Sequence, residues 1–298
     1  MRTIVSFALV AAVIATNGAP APAAVLCKKR SGVVVGREAC RKKETALDVA
    51  QLGAKGPAGA AGRGGWERPC PPDSVRVGTT CVDTYEASVW SIPANAALVG
   101  AVRAGTANAA DLTAGGAGQI GSGDCGTAFP DTFPATGNWT SPLYAASIPG
   151  VLPAVCVTWF QAVQACALAG KRLATNEEWQ RAATGTPGGP PCVVGGVAAG
   201  PTGTPGCVSQ WGSFDMVGNV FEWVADWGDL ATNCMSWSVD FGEDYSCIGG
   251  SGPTTHRPGA FLRGSSFDGN PPSVGIFAIT SSLDPTTASN EVGFRCAR

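Results

Sequence analysis

The chain has 298 residues and a formal net charge of −2, and it contains 41 glycines and 22 prolines. Charged residues make up 14% of the sequence, against roughly 25% in an average domain, which predicts long loops and few long helices. The sequence holds no basic patch as large as nucleic-acid binding requires, so nucleic acid is not expected as a partner.

The N-terminal stretch, residues 1–24, has the features of a secretory signal peptide. Arg2 precedes an apolar run over residues 4–15, and the Ala-Pro-Ala at 21–23 matches the pattern of a cleavage site. The apolar run is much shorter than the roughly 20 residues that span a bilayer. We therefore expect a protein that is secreted, or that lies in a periplasm or on a cell surface, without a transmembrane segment.

Residues 25–52 form a short basic module that contains two cysteines. A triplet of cations follows each cysteine directly, in the segments 27–30 (Cys-Lys-Lys-Arg) and 40–43 (Cys-Arg-Lys-Lys). This charge suits an anionic surface such as lipopolysaccharide or a polyanionic glycan. The alternative is a solvated cap that binds nothing.

Residues 53–65 have glycine at every third position from Gly53 to Gly62, which is the repeat of collagen. The repeat is too short to hold a triple helix alone, so we expect a collagen-like linker. A trimerising stalk is the alternative. In either case the segment separates the basic module from a main domain over residues 66–298.

All twelve cysteines lie beyond the expected signal peptide. An even number of cysteines in an exported protein predicts a disulfide framework. Close spacing suggests four local pairs, while other connectivities stay open: Cys27 with Cys40, Cys70 with Cys81, Cys192 with Cys207, and Cys234 with Cys247. Zinc is disfavoured, because the sequence has no C-x-x-C motif and His256 is its one histidine.

Two helices are predicted in the main domain. Thr158 stands where it can cap a helix over residues 159–169, and Gly170 follows at the position that ends many helices. The segment 175–178 (Thr-Asn-Glu-Glu) is a capping box and predicts a second helix that ends near Ala183.

Short strands are expected towards the C-terminus, at residues 261–263, 274–279 and 292–296, with turns rich in Gly, Pro, Ser and Asp between them. Long loops are expected over about residues 93–154, 185–210 and 228–259, where Gly, Pro and Ala are frequent. Two helices packed against short strands and long irregular loops predict an α+β domain.

Four stretches of the main domain carry motifs that are specific when taken in order. They are residues 81–86 (CVDTYE), 157–179 (VTW to NEEW), 215–223 (DMVGNVFEW), and 263–267 (RGSSF) with 293–296 (GFRC). Together they resemble the formylglycine-generating enzyme, or sulfatase-modifying factor, family over about residues 70–298. The resemblance implies a C-type-lectin-like fold with few short helices and strands and long disulfide-closed loops.

The resemblance also implies how the core is built. Cys166 and Cys296 match two cysteines that pair in characterised relatives, which implies a bridge between them. Four large rings are expected in the core: Trp159, Trp179, Trp223 and Phe294. Glu86 and Arg295 are expected to form a partly buried pair, since a buried charge needs a partner.

The family's oxidative chemistry uses copper held by two thiolates, and the aligned positions in this chain are Gly269 and Val274. No cysteine lies between Cys247 and Cys296, so a shifted alignment does not restore the site. Ser266 matches the family's active-site serine, but a hydroxyl does not replace two thiolates. Copper is therefore not expected, and Ser266 is the only candidate catalytic residue.

A structural calcium site is the metal site that the resemblance leaves open. Relatives bind calcium at the stretch that matches residues 215–222. Carried over to this chain, the ligands are the Asp215 and Glu222 carboxylates and the Gly218 and Val220 carbonyls. Calcium prefers oxygen ligands of these kinds; a turn-stabilising role without a metal is the alternative.

These features favour a secreted, non-catalytic binding or structural protein whose ligand is a glycan, a peptide or another surface molecule. Trp227 and Trp237 flank an acidic loop and could form a ligand rim, although a solvated loop closed by a disulfide is the simpler interpretation. The alternative function is enzymatic: oxidation of a protein cysteine to formylglycine, or other chemistry in the same cleft.

Overall fold

The computed structural model describes residues 25–31, 34–37, 39–46, 69–121, 125, 141–231, 233–239, 243–249, 257–270 and 274–298. The expected signal peptide, the collagen-like linker and His256 lie outside these residues. The chain divides into two compact units, Met1–Glu67 and Arg68–Arg298. Within the described part of the chain, no helix has the length and apolar character that a membrane span needs.

The first unit contains a three-stranded antiparallel sheet. Its strands are β1 (Val25–Lys29), β2 (Val34–Arg37) and β3 (Glu44–Ala46), and β1 lies in the middle. Cys27 on β1 is completely buried and forms a disulfide with Cys40. This bridge and the sheet hold together a segment that is too short to build a large hydrophobic core.

The second unit mixes helices and strands. Among its described residues the strands are β4 (Ser74–Val77), β5 (Thr80–Asp83), β6 (Ala87–Ser91), β7 (Gly118–Ile120), β8 (Leu143–Ser147), β9 (Arg172–Leu173), β10 (Phe221–Asp229), β11 (Asn233–Ser236), β12 (Tyr245–Gly249), β13 (Pro258–Arg263), β14 (Ile279–Leu283), β15 (Val292–Phe294) and β16 (Cys296–Ala297). The helices are α1 (Ala96–Ala104), α2 (Ala109–Ala114), α3 (Trp159–Leu168) and α4 (Asn176–Ala182).

Three sheets organise these strands. The largest has the order β11-β12-β14-β13-β10-β15, a second has the order β4-β5-β16-β9, and a third has the order β7-β6-β8. In the largest sheet β10 pairs antiparallel with β13 and parallel with β15. Because β15 and β16 are separated only by Arg295, the C-terminal segment joins the first two sheets at that residue.

The helices α3 and α4 begin where their capping residues predicted. The Thr158 hydroxyl accepts a hydrogen bond from the Gln161 N–H, and the Gln161 side chain accepts one from the Thr158 N–H. Thr175 and Glu178 form the same reciprocal box at the start of α4. Each box satisfies two backbone donors that a helix start leaves without partners.

The expectation of an irregular loop over residues 93–154 was wrong, because α1, α2, β7 and β8 lie within it. Asn95 caps α1 by accepting from two backbone N–H groups, and Gly105 ends this helix with a φ of 72°. Both helices are short and rich in alanine, so each buries a single residue, Val102 in α1 and Leu112 in α2. That burial is too sparse to show as a periodic pattern.

Two of the remaining expectations also needed correction. Strand β10 extends to Asp229 and is followed by β11 and β12, although residues 228–259 were expected to form a loop. The strand expected at residues 274–279 is mostly a turn, in which the Ala278 N–H donates to the Gly275 carbonyl, and β14 begins only at Ile279.

The core of the second unit contains most of the rings that the family resemblance placed there. Trp179, Trp223 and Phe294 are completely buried, whereas Trp159 is partly exposed and donates from its indole nitrogen to the Val224 carbonyl at 2.8 Å. Buried tryptophans keep a hydrogen-bond partner in this way.

Candidate functional site

The motif residues of the resemblance build a buried network of charges. The Arg295 guanidinium binds the Glu222 carboxylate with two hydrogen bonds of 2.6 Å, and the Trp179 indole N–H donates to the same carboxylate at 2.8 Å. Arg295 also donates to the carbonyls of Asp83 and Phe214. Burial alone lowers the pKa of Arg295, but Glu222, with smaller contributions from Glu86 and Asp215, outweighs that effect and holds the pKa above its usual value.

The pair expected between Glu86 and Arg295 is wrong, because the salt bridge of Arg295 is made with Glu222. The Glu86 carboxylate instead accepts hydrogen bonds from the Asn219 side-chain amide at 2.5 Å and from the Val220 N–H at 3.2 Å. Burial, reinforced by the nearby charges of Asp215 and Glu222, raises the pKa of Glu86 well above its usual range. The network therefore holds three carboxyl groups against one guanidinium.

Of the four residues predicted to bind calcium, Asp215, Val220 and Glu222 interact with this network, and the Gly218 N–H donates to the Gly264 carbonyl. The Asp215 carboxylate accepts from the backbone N–H groups of Gly203 and Thr204, at 2.6 and 3.2 Å. Both oxygens of the Glu222 carboxylate are held by Arg295. Within the described ranges, no three His, Cys, Asp or Glu side chains are grouped so as to hold a metal ion.

Calcium needs carboxylate and carbonyl oxygens that are free to turn towards one point. A guanidinium that occupies both oxygens of Glu222 opposes this, so the set does not fit a calcium ion as it is arranged. Gly218 packs closely, since a Cβ on it would lie 2.3 Å from the Val193 carbonyl oxygen, and Val220 is completely buried. Calcium binding at this stretch stays a prediction of the sequence.

The stretch that the resemblance aligns with the family's catalytic loop is closely packed. Ser266 is buried, and its hydroxyl donates to the Asp268 carboxylate. The resemblance aligns Gly269 with the first copper ligand, and a Cβ on Gly269 would lie only 2.0 Å from the Ser265 hydroxyl oxygen. A cysteine at this position therefore requires Ser265 to move.

The residue that the resemblance aligns with the second copper ligand, Val274, is part of the core. Val274 is 4% exposed and packs in a small cluster with Val217 and the bridged pair Cys192–Cys207. All twelve cysteines are paired: Cys27–Cys40, Cys70–Cys81, Cys125–Cys156, Cys166–Cys296, Cys192–Cys207 and Cys234–Cys247. Copper held by two thiolates does not fit a chain without a free thiol.

These bridges include all five pairs that spacing and family resemblance suggested. The bridge Cys166–Cys296 ties α3 to β16. The pair Cys125–Cys156 was not predicted, because 31 residues separate its members and neither lies in a family motif. The even cysteine count was its only signal in the sequence.

A surface pocket of about 410 Å³ opens beside this frame. Its lining is mostly apolar and aromatic: Asn176, Gln180, Trp237, Ile248, Phe261, Arg263, Phe277 and Ile279. These residues come from α4, β12, β13 and β14 and from the loops next to β11 and β14. Trp237 is 42% exposed and Ile248 is 44% exposed, so a ligand can reach both side chains.

Arg263 forms the floor of this pocket. Its guanidinium lies 4.6 Å from the centre of the Trp179 ring and donates to the carbonyls of Ile276 and Ala278 and to the Gln180 side chain. Burial lowers the pKa of Arg263 to about 10, and the Asp244 carboxylate opposes that shift. The side chain therefore stays cationic at neutral pH while its hydrogen bonds hold the turn before β14.

Asp244 positions the aromatic wall of the pocket. Its carboxylate accepts from the Phe277 N–H at 2.8 Å, and its carbonyl accepts from the Trp237 N–H at 2.8 Å. The Trp237 indole N–H then donates to the Phe277 carbonyl at 3.0 Å. This closed set of hydrogen bonds gives the two rings a defined position, which a preorganised binding site requires.

The two tryptophans suggested for a ligand rim lie in different surroundings, although both are partly exposed. Trp237 lines the pocket, but Trp227 on β10 packs against the rings of Trp159 and Phe160 on α3, with centroid distances of 4.8 and 5.7 Å. The other pocket residues come from elements that are distant in the chain, and no local pattern marks them.

Comparison with known proteins found one matching family model and several similar solved structures. Residues 135–196 and 197–298, more than half of the chain, match the family model of the sulfatase-modifying factor enzyme 1-like domain. No curated protein matches the chain. Similar solved structures include the I1, P3c and M1 variants of the Major Tropism Determinant, at 16%, 16% and 15% identity and TM-scores of 0.44, 0.44 and 0.45. Each match covers 92% of this chain and 71% of that protein. The chain therefore belongs to the sulfatase-modifying factor enzyme 1-like family.

Proposed function

We propose that this chain is a secreted, non-catalytic binding protein whose ligand occupies the pocket between Trp237 and Arg263. One observation carries the proposal. The two copper-ligand positions hold a glycine against Ser265 and a buried valine, Val274, while the frame around them keeps its bridges and its buried charges. The bridges and buried charges that hold the fold together are therefore present, whereas the two thiols that the oxidation requires are absent.

The frame suits display of a ligand site. The family resemblance implies a C-type-lectin-like arrangement, and disulfides tie α3 to β16 and close the loop between β11 and β12. Binding sites on loops over a rigid scaffold are common. Six disulfides are typical of proteins that work in an oxidising compartment, which supports secretion.

The chemistry of the pocket favours a ligand with a flat apolar face and hydrogen-bonding edges. Trp237, Phe261 and Phe277 offer ring surfaces, and the amides of Asn176 and Gln180 lie beside them. The volume falls in the range of roughly 300–1,000 Å³ that small-molecule sites occupy. A sugar ring of a glycan or an aromatic side chain of a peptide has this character.

Glycan and peptide arrays test the proposal with the full secreted chain and two tryptophan variants. Trp237→Ala removes an exposed ring from the pocket, and binding should weaken by about tenfold or more, because buried aromatic anchors dominate binding energies. Trp211→Ala is the matched control, since Trp211 is 41% exposed and lies outside the pocket. Equal loss in both variants, or no retained ligand at all, would contradict the proposal.

The alternative, an enzyme with other chemistry in the cleft of the family, has one observation in its favour. Ser266 donates to Asp268, and a serine beside a carboxylate is a possible reacting group. In that case some substrate from the arrays is consumed and not retained, and both Ser266→Ala and Asp268→Ala abolish the consumption. The formylglycine oxidation itself is disfavoured by the absence of a free thiol among the twelve cysteines.

A further inference from the structure

The two basic triplets of the first unit meet at one surface. Each follows a member of the Cys27–Cys40 bridge, so the disulfide brings Lys28 to Arg30 next to Arg41 to Lys43. The pairing of β1 with β3 sets their register, with Lys29 opposite Glu44. Two runs that are separate in the sequence therefore form a single cluster of six cations.

These cations surround a groove. A cavity of about 540 Å³ is lined by Lys29, Arg30, Ser31, Arg41, Lys42, Lys43 and Glu44. A second cavity, of about 640 Å³, is lined by Lys28, Lys29, Arg30, Lys42, Lys43, Glu44 and Thr45. All six cationic residues are exposed, so an anion can reach every one of them. Glu44 is the only acid in the lining, and its carboxylate accepts from the Arg41 N–H at 3.0 Å.

The charge of the chain is strongly segregated. Residues 25–46 contain seven Lys and Arg against two Glu, a net charge of +5, whereas the whole chain carries −2, so the rest carries −7. Like charges within about 8 Å of one another repel even at physiological salt. The disulfide and the sheet hold the cluster together against that repulsion, and a bound polyanion would relieve it.

We infer that this groove is a binding site for an acidic polysaccharide that bears sulfate, phosphate or carboxylate groups. A single exposed ion pair contributes little, so useful affinity needs a ligand that engages several of the six cations at once, as a polyanion does. Arg30 and Arg41 can each bind an oxyanion with two hydrogen bonds.

The composition of the groove selects this class of polyanion over two others. Residues 25–46 contain no Phe, Trp or Tyr. Single-stranded nucleic acids are bound through aromatic rings that stack on bases. Interfacial membrane segments insert several Trp, Phe or Leu side chains beside their basic residues, and of these residue types the segment 25–46 contains only Leu26. A groove lined by cations and small polar groups matches the repeating charges of an acidic glycan.

The test measures binding of the full secreted chain to heparin, a sulfated polysaccharide, over a series of salt concentrations. A variant with Lys29→Gln, Arg30→Gln, Lys42→Gln and Lys43→Gln should bind at least about tenfold more weakly and with a shallower salt dependence, because fewer counterions are released. The matched control changes Arg103, Arg172, Arg181 and Arg257 to Gln. It removes the same charge from the second unit and should bind like the unmodified chain.

Each result decides the inference. Unchanged heparin binding by the groove variant, or equal loss in the control, would overturn it, because the site would then be elsewhere or only net charge would matter. Tighter binding to double-stranded DNA or to phosphatidylglycerol vesicles than to heparin would overturn the assignment to a glycan.

All four substituted groove side chains are exposed, so their removal leaves the Cys27–Cys40 bridge intact, and a disulfide mass map verifies this. Pocket variants such as Trp237→Ala should leave heparin binding unchanged, which separates this site from the proposed function.

Discussion

The motif Asp215–Trp223 and the segment that begins in the motif at residues 263–267 and continues to Gly269 and Val274 both lie in the region that matches the family, but their side chains do different things. In the first, Glu222 forms a buried salt bridge with Arg295, and the Asp215 carboxylate accepts hydrogen bonds from the backbone N–H groups of residues 203 and 204. In the second, the backbone still meets its neighbours, with the Gly195 N–H donating to the Gly269 carbonyl at 2.9 Å. The two positions that the resemblance aligns with copper ligands, however, are a glycine close to Ser265 and the buried Val274.

The difference teaches that family membership and family chemistry depend on different residues. A buried charge without its partner destabilises the fold, so Glu222 and Arg295 must be kept together whatever the protein does. A copper ligand has no such role in folding once the metal is gone. The catalytic positions can therefore change while the motifs around them persist.

The largest effect is expected from breaking the buried pair. Arg295→Met leaves the Glu222 carboxylate buried beside Trp179 without its cation, and we expect a loss of about 3–5 kcal/mol in the free energy of unfolding. Urea titration measures it. Arg257→Met is the control, because Arg257 is 65% exposed in its pair with Asp284 and should change stability by less than about 0.5 kcal/mol. Similar small losses in both variants would mean that the network does not support the fold.

A second buried cation gives an effect that depends on pH. Lys171 binds Asp73 at 2.5 Å and Asp83 at 2.7 Å, and all three side chains are nearly inaccessible. Lys171→Met leaves two buried carboxylates together, and we expect a loss of about 3 kcal/mol at pH 7.

Burial, partly opposed by Lys171, already raises the pKa of Asp83 from 3.8 to about 6 in the folded chain. The folded state thus takes up a proton as the pH falls through 6, before the unfolded state does, so stability attributable to Asp83 rises on acidification. Without Lys171 its pKa rises further, and the variant should regain more stability than the unmodified chain between pH 7 and 5. The measurements stay above pH 4.5, because stability that depends on Glu178 is lost below that pH. Burial raises the pKa of Glu178, but Arg172, Thr175 and Thr80 outweigh burial and lower the pKa to about 2. A variant that loses stability over this interval would contradict the assignment.

A smaller effect tests whether position 269 has room for a cysteine side chain. Gly269→Cys forces its Cβ against the Ser265 hydroxyl, and we expect it to cost about 1–3 kcal/mol. Ser265→Gly removes the obstacle at a residue whose φ of 76° suits glycine, so the double variant should recover most of the loss. Gly188→Cys is the control, because nothing lies within 4 Å of its Cβ. Additive losses in the double-mutant cycle would show that Ser265 is not the obstacle.

The smallest effect concerns calcium. Because Arg295 occupies both oxygens of Glu222, we expect calcium and a chelator to change the melting temperature by less than about 2 °C, a shift that corresponds to about 1 kcal/mol or less. A larger stabilisation by calcium that Asp215→Asn abolishes would contradict this expectation. It would restore the site that the family resemblance implies and show that Glu222 can exchange Arg295 for the metal.

Local signals in the sequence were sufficient for much of the frame. The starts of α3 and α4 follow from capping boxes whose partners lie three residues apart, and four disulfides close loops of 11 to 15 residues. The absence of cysteines at positions 269 and 274 also needs no structure. Such features depend on neighbours in the chain, where geometry follows directly from residue type and spacing.

Other features were decided only by tertiary contacts. The partner of Arg295 is Glu222 and not Glu86, across 73 residues, and the bonds of Glu86 to Asn219 and Val220 span more than 130 residues. The pocket joins α4 to strands that lie far along the chain. Residue type shows that a buried charge needs a partner and that a ring needs packing, but which partner it meets depends on how the sheets pack. The sequence by itself therefore determined the family and the absence of cysteine at positions 269 and 274, whereas only packing decided the partners of the buried charges and the place of the pocket.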